Sequence, residues 1–494
     1  MDESDNRHIE LMFMKINRNT TLINQMPRKQ DLRRQVVHSS YLAIFSWLLW
    51  FTPNAWAEEV SFYQAWQSVL TNNDGLAAER ANVDQAQLKQ DASGALNLPS
   101  VTLSANYTRL DDDVEISPSD LAESMPIGSS ALIKAFDGML TSTLMDKDVF
   151  TSSIRAIWPI FTGGRISAAQ DIAEGKKDEA KYMLQMKQQA KFEDLSKYYF
   201  GVVLAEQVFA TRQEVEQGLK EHFDHAQKME EQGQIARVQR LQAEVAYDKA
   251  KVETRKAQRN VEITQMALTH LLKVNSLARP STKLFINERL PPMQAFLDKT
   301  LNEYPGLSIL DAKEKQADGL VGVEKGKYYP EVFVYGNYNV YSDDTLVGNT
   351  TPDWLVGVGV SIPLIDTSGR SEKVSAAHMA KRQVGYLRAQ AKQDLSLLVE
   401  KTYREAYQSL EEYNGLESSV SMAQENIDLQ QKAFSQGLST SLDVVDAEMY
   451  LSSIKTQRSA AAYQYVLSLS RLLAVSGEMD SFNQYQQYKG LEVH

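Results

Sequence analysis

Residues 72–107, NNDGLAAERANVDQAQLKQDASGALNLPSVTLSANY, recur in altered form at 303–338, EYPGLSILDAKEKQADGLVGVEKGKYYPEVFVYGNY. Gly75-Leu76 matches Gly306-Leu307, Pro99 matches Pro330, and Asn106-Tyr107 matches Asn337-Tyr338, each at an offset of 231. Further on, IWPIFTGGR (157–165) answers SIPLIDTSGR (361–370). QGQIARVQRLQAE (232–244) answers QGLSTSLDVVDAE (436–448), with the offset reduced to 204. The chain is therefore two tandem copies of one design. The first copy carries 27 more residues between its matched segments. That surplus lies around 114–148, a stretch with no sustained period, and reads as an enlarged loop.

Each copy gives the same order: helix, strand, loop, strand, very long helix, turn, long return helix. The strands alternate. Val101, Leu103, Ala105 and Tyr107 face one way, with Thr102, Ser104, Asn106 and Thr108 opposite. Val332, Val334, Tyr338 and Val340 share a face, as do Phe150, Ile154, Ala156 and Trp158. The strictest case is WLVGVGVSIP, 354–363: Trp354, Val356, Val358, Val360 and Ile362 on one side, Gly357, Gly359 and Ser361 on the other. Such alternation marks a strand with two different environments. Four strands of about ten residues have the length of membrane-spanning strands but cannot close a barrel, since the smallest barrels have eight. Two chains would supply eight strands and a filled interior, three would supply twelve and an open lumen. The large residues of 354–362 are then expected to face lipid, and the glycines a water-filled bore.

From Arg370 to about Gly437 there is no proline, and apolar residues recur every seven: Val399, Ala406, Tyr413, Val420, Ile427, Phe434. The first copy keeps this register at Leu195, Val202, Phe209 and Phe223, interrupted by Glu216 and Glu230. The return helix steps by three and four through Leu442, Val445, Met449, Ser452, Thr456, Ser459, Tyr463, Val466, Ser470 and Leu473. A sustained period of 3.5 is coiled-coil packing. At 1.5 Å per residue such a helix is about 100 Å long, more than a globular domain needs.

The N-terminus sets the compartment. Basic RKQDLRR (28–34) precedes apolar YLAIFSWLLWF (41–51) and the small-x-small triplet Ala55-Trp56-Ala57, the pattern of a secretory signal peptide. The expected layout is an n-region and signal peptide over 1–57 and a first repeat over 58–280, with strands near 99–113 and 148–160 and long helices over about 165–275. A second repeat follows over 281–478, with strands near 330–342 and 353–363 and long helices over about 370–475, and then a tail over 479–494. A net charge of −12 argues against a nucleic-acid partner. The absence of cysteine excludes disulfides, thiol catalysis and a lipidated N-terminal Cys.

With these motifs in this order, the chain resembles the TolC-like outer-membrane efflux protein family. The likeness runs from FYQAWQSVLTNNDGL to LSLSRLLAVSG and rests on the duplicated strand openings, WPIFTGGR with IPLIDTSGR, and the paired QG turns followed by AE. It implies a mostly α fold with a β-barrel portion: a homotrimer with a twelve-stranded barrel in outer-membrane lipid and a twelve-helix coiled-coil tunnel in the periplasm of a Gram-negative bacterium. It implies an exit duct for efflux or type I secretion, with a periplasmic adaptor (membrane fusion) protein and an inner-membrane transporter of the RND or ABC type as partners. Carried over by position, Gln232, Gly233, Gln436, Gly437 and Leu438 are adaptor-docking turns, and Asp443 and Asp446 a pore constriction. Each glycine also reads as a helix end with positive φ, and Asp443 as a helix N-terminal acid. Where the family closes its gate with Tyr, Arg and Asp, this chain has Phe434, Ser439 and Gln239, which cannot form that salt bridge.

No enzyme motif and no cofactor site is legible. In VGVEKGKYY, Gly322 and Gly326 are one residue too close for a phosphate loop, and Tyr328 replaces the magnesium-binding hydroxyl. His222 and His225 lie one turn apart on the long helix and read as a solvated face. The alternative function, a secreted coiled-coil structural or adhesin protein without a pore, accounts for the helices and leaves the strands unexplained.

Overall fold

A computed structural model of the chain describes residues 58–123, 136–137, 139–342, 348, 350–365 and 367–492. The expected signal peptide lies outside them. The first copy begins with β1 (Glu58–Val60), α1 (Phe62–Asn72) and α2 (Asp74–Gly94), then β2 (Ser100–Arg109). Within the stretch read as an enlarged loop stand β3 (Val114–Ile116), α3 (Pro118–Glu123) and β4 (Ser142–Met145), with β3 and β4 paired antiparallel. The copy continues through β5 (Asp148–Phe161), α4 (Arg165–Glu231) and α5 (Arg237–Leu272). The linking strands β6 (Ala278–Pro280) and β7 (Phe285–Asn287) lead to α6 (Met293–Glu303), α7 (Pro305–Gly326), β8 (Glu331–Ser342) and β9 (Trp354–Ser361). Then come α8 (Arg370–Ser435), α9 (Ser441–Val475), α10 (Phe482–Lys489) and β10 (Gly490–Glu492).

The four long strands form one antiparallel sheet in the order β2-β5-β8-β9. The register aligns their apolar sets: Leu103 pairs with Ile154, Ile154 with Tyr338, and Tyr338 with Trp354. One sheet face is thus apolar from edge to edge, and it is bare, with Trp354 67% and Val356 70% exposed. On the other face the two glycines are covered by their neighbouring strand. Phe333 stands opposite Gly359 and Tyr335 opposite Gly357, and their rings lie over the two glycines. Gly357 and Gly359 make room for aromatic neighbours on the same sheet, a device that protects strand glycines from their own poor packing.

Two helices dominate the rest. α4 has 67 residues and α8 has 66, about 100 Å each. The first half of α4 packs on α2 and α7 and its second half on α5 and α9, while α8 packs on α7 and then α9. Polar ties mark the first halves: Gln316 Nε2 donates to Glu179 Oε2 at 2.8 Å, and Lys381 Nζ reaches Asp318 Oδ1 at 2.7 Å. The seam of α8 runs as the seven-residue beat requires, with Val399, Ala406, Tyr413, Ile427 and Phe434 buried. Those of α4 and α9 depart from it. On α4 the buried line after Val202 passes through Val215, Leu219, His222, Ala226 and Met229, leaving Glu216, Phe223 and Glu230 on its flank. On α9 the buried line begins at Ser441, Val444 and Glu448, one residue ahead of Leu442, Val445 and Met449. The cause is a third neighbour: each helix touches more than one partner, so its buried stripe is wider than a two-stranded seam and turns as the partners change.

Midway along the long helices a belt of short elements closes around an aromatic core. Phe62, Phe192, Tyr199, Phe200, Phe285 and Phe482 are all buried there. Tyr199 Oη donates to Val60 O at 2.6 Å and accepts from Thr282 N at 2.9 Å, fixing β1 and the loop after β6 to α4. Parallel pairing of β1 with β6 and antiparallel pairing of β7 with β10 completes the belt. The C-terminal segment enters this core through Phe482.

Candidate functional site at the helix tips

At the end opposite the sheet, α4 turns into α5 and α8 into α9. Both turns are built alike. After α4, Gly233 N donates to Glu230 O at 2.8 Å and Gln234 N to Met229 O at 2.8 Å. After α8, Gly437 N donates to Phe434 O at 3.0 Å and Leu438 N to Ala433 O at 2.9 Å. Each pair is a Schellman closure, and it demands the left-handed conformation that both glycines adopt, φ 73°. Gln232 and Gln436 are the C-caps. Leu438 stands free of the chain, 77% exposed. A small core joins the two turns, with Ala226, Met229, Ala243, Phe434 and Val444 buried together and Ile235 packed against them.

The two helices that leave the turns begin differently. α9 has a capping box in which Asp443 N donates to Thr440 Oγ1 at 3.3 Å and Asp443 Oδ2 accepts from Thr440 N at 2.8 Å and Thr440 Oγ1 at 2.6 Å. These bonds hold the Asp443 carboxyl below the usual carboxylate range. The cap of α5, Ala236, offers no side-chain bond. Asp443 is therefore engaged locally. Asp446, one turn on, instead lines a groove between α5 and α9 over α4, with Val215, Leu219, Val245, Leu442 and Val445.

Of the three residues expected at gate positions, Phe434 is buried in the tip core. Ser439 Oγ donates to Gln430 O at 3.2 Å, closing on its own hairpin. Gln239 starts α5 with its Oε1 buried. The tie between α4 and the α8–α9 hairpin is made by other groups. His222, expected on a solvated face, is only 5% exposed. Its Nε2 lies 2.7 Å from Ser441 Oγ, and its ring meets Phe434 edge-on at 4.6 Å between centroids. Burial, with His225 nearby, lowers its pKa to about 4, so it is neutral at neutral pH. His225 stays at the surface. Glu448 is likewise inside, 7% exposed, and burial raises its pKa to about 7 against the opposing pull of Lys455. Neither residue carries a sequence signal of burial beyond its place four and seven residues from other seam positions.

The comparisons agree with this architecture. The sequence profile described as Outer membrane efflux protein matches residues 65–272 and 296–478. The Outer membrane protein TolC of Vibrio cholerae is 22% identical over 459 residues, 89% of this chain and 95% of that protein. The Alkaline protease secretion protein AprF of Pseudomonas aeruginosa is 24% identical over 293 residues, 57% of this chain and 60% of that protein. Among solved structures, the Campylobacter jejuni CmeC outer membrane channel superposes with a TM-score of 0.68 at 15% identity, covering 85% of this chain and 86% of that one. The outer membrane protein VceC of Vibrio cholerae superposes at 0.69 and 15% identity, covering 84% and 96%. Fold, duplicated turns and profile converge: the chain belongs to the outer membrane efflux protein family.

Proposed function

We propose that this outer-membrane channel is the exit duct of a tripartite efflux or secretion machine, and that it works as a homotrimer. The observation that carries the reading is the open sheet. Its edge strands β2 and β9 have no outer partner among the described residues, and one whole face is apolar and bare. A lone four-stranded sheet of this kind cannot sit in lipid, because its edge amides would go unsatisfied. Pairing β2 of one copy with β9 of the next removes the edges, and three copies make a twelve-stranded barrel. The helices support the same assembly. Val238, Leu241, Val245 and Val252 form an exposed stripe on α5, and Met422 and Leu429, seven residues apart, form one on α8. A coiled-coil neighbour from another copy would cover both.

In this reading the helix tips are the periplasmic mouth. Gln232, Gly233, Gln436, Gly437 and Leu438 present the two turns to a periplasmic adaptor, and an inner-membrane transporter of the RND or ABC type supplies the energy. Asp446 narrows the passage, and Asp443, read with it at the constriction, is drawn back from the lumen by its bonds to Thr440. The relative named for alkaline protease secretion favours including protein export among the cargoes. A pore-less scaffold would leave the apolar sheet face without a purpose. The test is the mass of the detergent-solubilised particle by light scattering. Three chains are expected; a monomer would leave no barrel, and a dimer would leave one of eight strands with a filled interior and no duct.

A further inference from the structure

The seam between α4 and α9 near the tips holds two titratable side chains of opposite kind. His222 reaches Ser441 from α4, and Glu448 reaches back from α9 to Gly218, where a Cβ would lie 2.6 Å from Glu448 Oε1. Gly218 and His222 are one turn apart on α4, and Ser441 and Glu448 two turns apart on α9, so both contacts belong to one line of packing.

The duplication makes Glu448 stand out. Its counterpart in the first copy, Glu244, is half-exposed and paired with Arg240, which also bonds Glu230 Oε2 at 2.7 Å. Glu448 has no such partner. Gln431 Nε2 of α8 donates to its Oε1 at 3.4 Å, and Asp428 of α8 and Glu221 of α4 face it with like charge. Lys455, the cation that faces it, is committed to Glu214 Oε2 at 2.6 Å. Arg212 Nη1 of α4 is engaged with Ser452 Oγ at 3.2 Å. From α5, Lys249 and Glu253 line the adjoining groove. Around His222 stand His225 on its own helix, Phe434 of α8 and Ser441 of α9.

We propose that His222 and Glu448 form a charge-compensated latch, a base and an acid buried on one seam, so that changes of pH pull on α4–α9 closure with opposite signs and leave it nearly constant. The linkage can be worked for each. Glu448 rises from an ordinary 4.5 to about 7 when the seam is closed, so closure is fully supported below 4.5 and loses about tenfold per pH unit up to about 7. His222 falls from 6.5 to about 4, so its contribution is fully present above 6.5 and is lost by about tenfold per unit as pH falls toward 4. Between pH 5 and 6.5 the two slopes cancel. Either group alone would make the tip a pH switch.

Amide exchange across residues 441–455 of the whole protein, expressed as protection factors at pH 5, 6 and 7, reads the seam directly. The wild type is expected to change by less than about threefold. His222→Gln, leaving Glu448 uncompensated, should lose protection by about 40-fold from pH 5 to 7, and Glu448→Gln should gain it by about 20-fold. The double variant should again be flat. Should either single variant fail to fold, the half-buried Lys455→Gln serves instead. Removing that cation raises Glu448 further, and protection should keep falling above pH 7 where the wild type levels off. A wild type that varies more than tenfold, single variants as flat as the wild type, or a Lys455→Gln variant that levels with the wild type would overturn the latch. The idea uses the mouth reading only to say what the latch closes. The predicted exchange pattern without any parallel change in conductance would keep the latch and discard that reading.

Discussion

Phe333 stands across from Gly359 in the β8–β9 pairing, and its ring fills the place where a side chain on residue 359 would begin. A Cβ built there would lie 2.5 Å from the ring, and one on Gly357 would lie 2.7 Å from the ring of Tyr335. Gly359→Val should therefore displace the ring and destabilise the sheet by about 1–3 kcal/mol. Phe333→Ala in the same chain should recover part of the loss, with a coupling of about 0.5–3 kcal/mol. Thermal unfolding of the four-member cycle measures it. Strictly additive losses would mean that ring and glycine do not act on one another.

Gly437 separates a turn's backbone need from its surface role. Gly437→Val should cost about 1–2 kcal/mol, because a left-handed φ is imposed on a branched side chain. Gly437→Asn keeps that conformation accessible and should leave the assembly folded. Adaptor docking that needs bare backbone would then fail in the Asn variant, seen as lost export from cells with normal amounts of the protein. Full export by Gly437→Asn would reduce the glycine to a helix end.

The two aspartates of α9 should part company. Thr440→Ala breaks the capping box and should loosen the first turn by about 1 kcal/mol, visible as faster amide exchange at 441–444. Since Asp443 is held below its ordinary 3.8, its support is present above that value and disappears as pH falls through the folded one, so this turn frays only in strong acid. Asp446→Asn should leave exchange unchanged and weaken cation preference of the pore. Equal effects of Asp443→Asn and Asp446→Asn on selectivity would show that the cap does not hold Asp443 out of the passage.

β5 runs directly into α4, so the connection between β2 and β5 lies at the end of the sheet away from the helices. In the duct reading that end is outside the cell. Met139, exposed within this connection, is the place to ask. The chain has no cysteine, so Met139→Cys gives a single thiol. An impermeant maleimide should label it on intact cells. Labelling only after permeabilisation would invert the topology.

The order of elements, the sheet's two faces and the seam of α8 are all legible in the sequence because each follows from one period. Val399, Ala406, Tyr413, Ile427 and Phe434 are buried on that account, with Val420 between them half-buried. Elsewhere the missing information is non-local. His222 lies in a polar run, KEHFDHAQK, and its burial is decided by Ser441, 219 residues away. Glu448 reads like Glu244 until Arg240 is seen to serve one and not the other. Leu442, Val445 and Met449 step correctly for a seam, yet they face a groove, since α9 has two helices to pack on and period alone cannot say which. Gly357 and Gly359 show which residues share a face, not what the next strand lays over them.

The central claim is that copies of this chain enclose a continuous passage through the outer membrane. Current through a planar bilayer to which the purified oligomer is added tests it most directly. Discrete steps of uniform size are expected, cation-selective at neutral pH, with Asp446→Asn keeping the steps and losing part of the selectivity. A folded oligomer of three chains that inserts and passes no current in either orientation, with the tips closed or loosened by the single latch variants, would contradict the account.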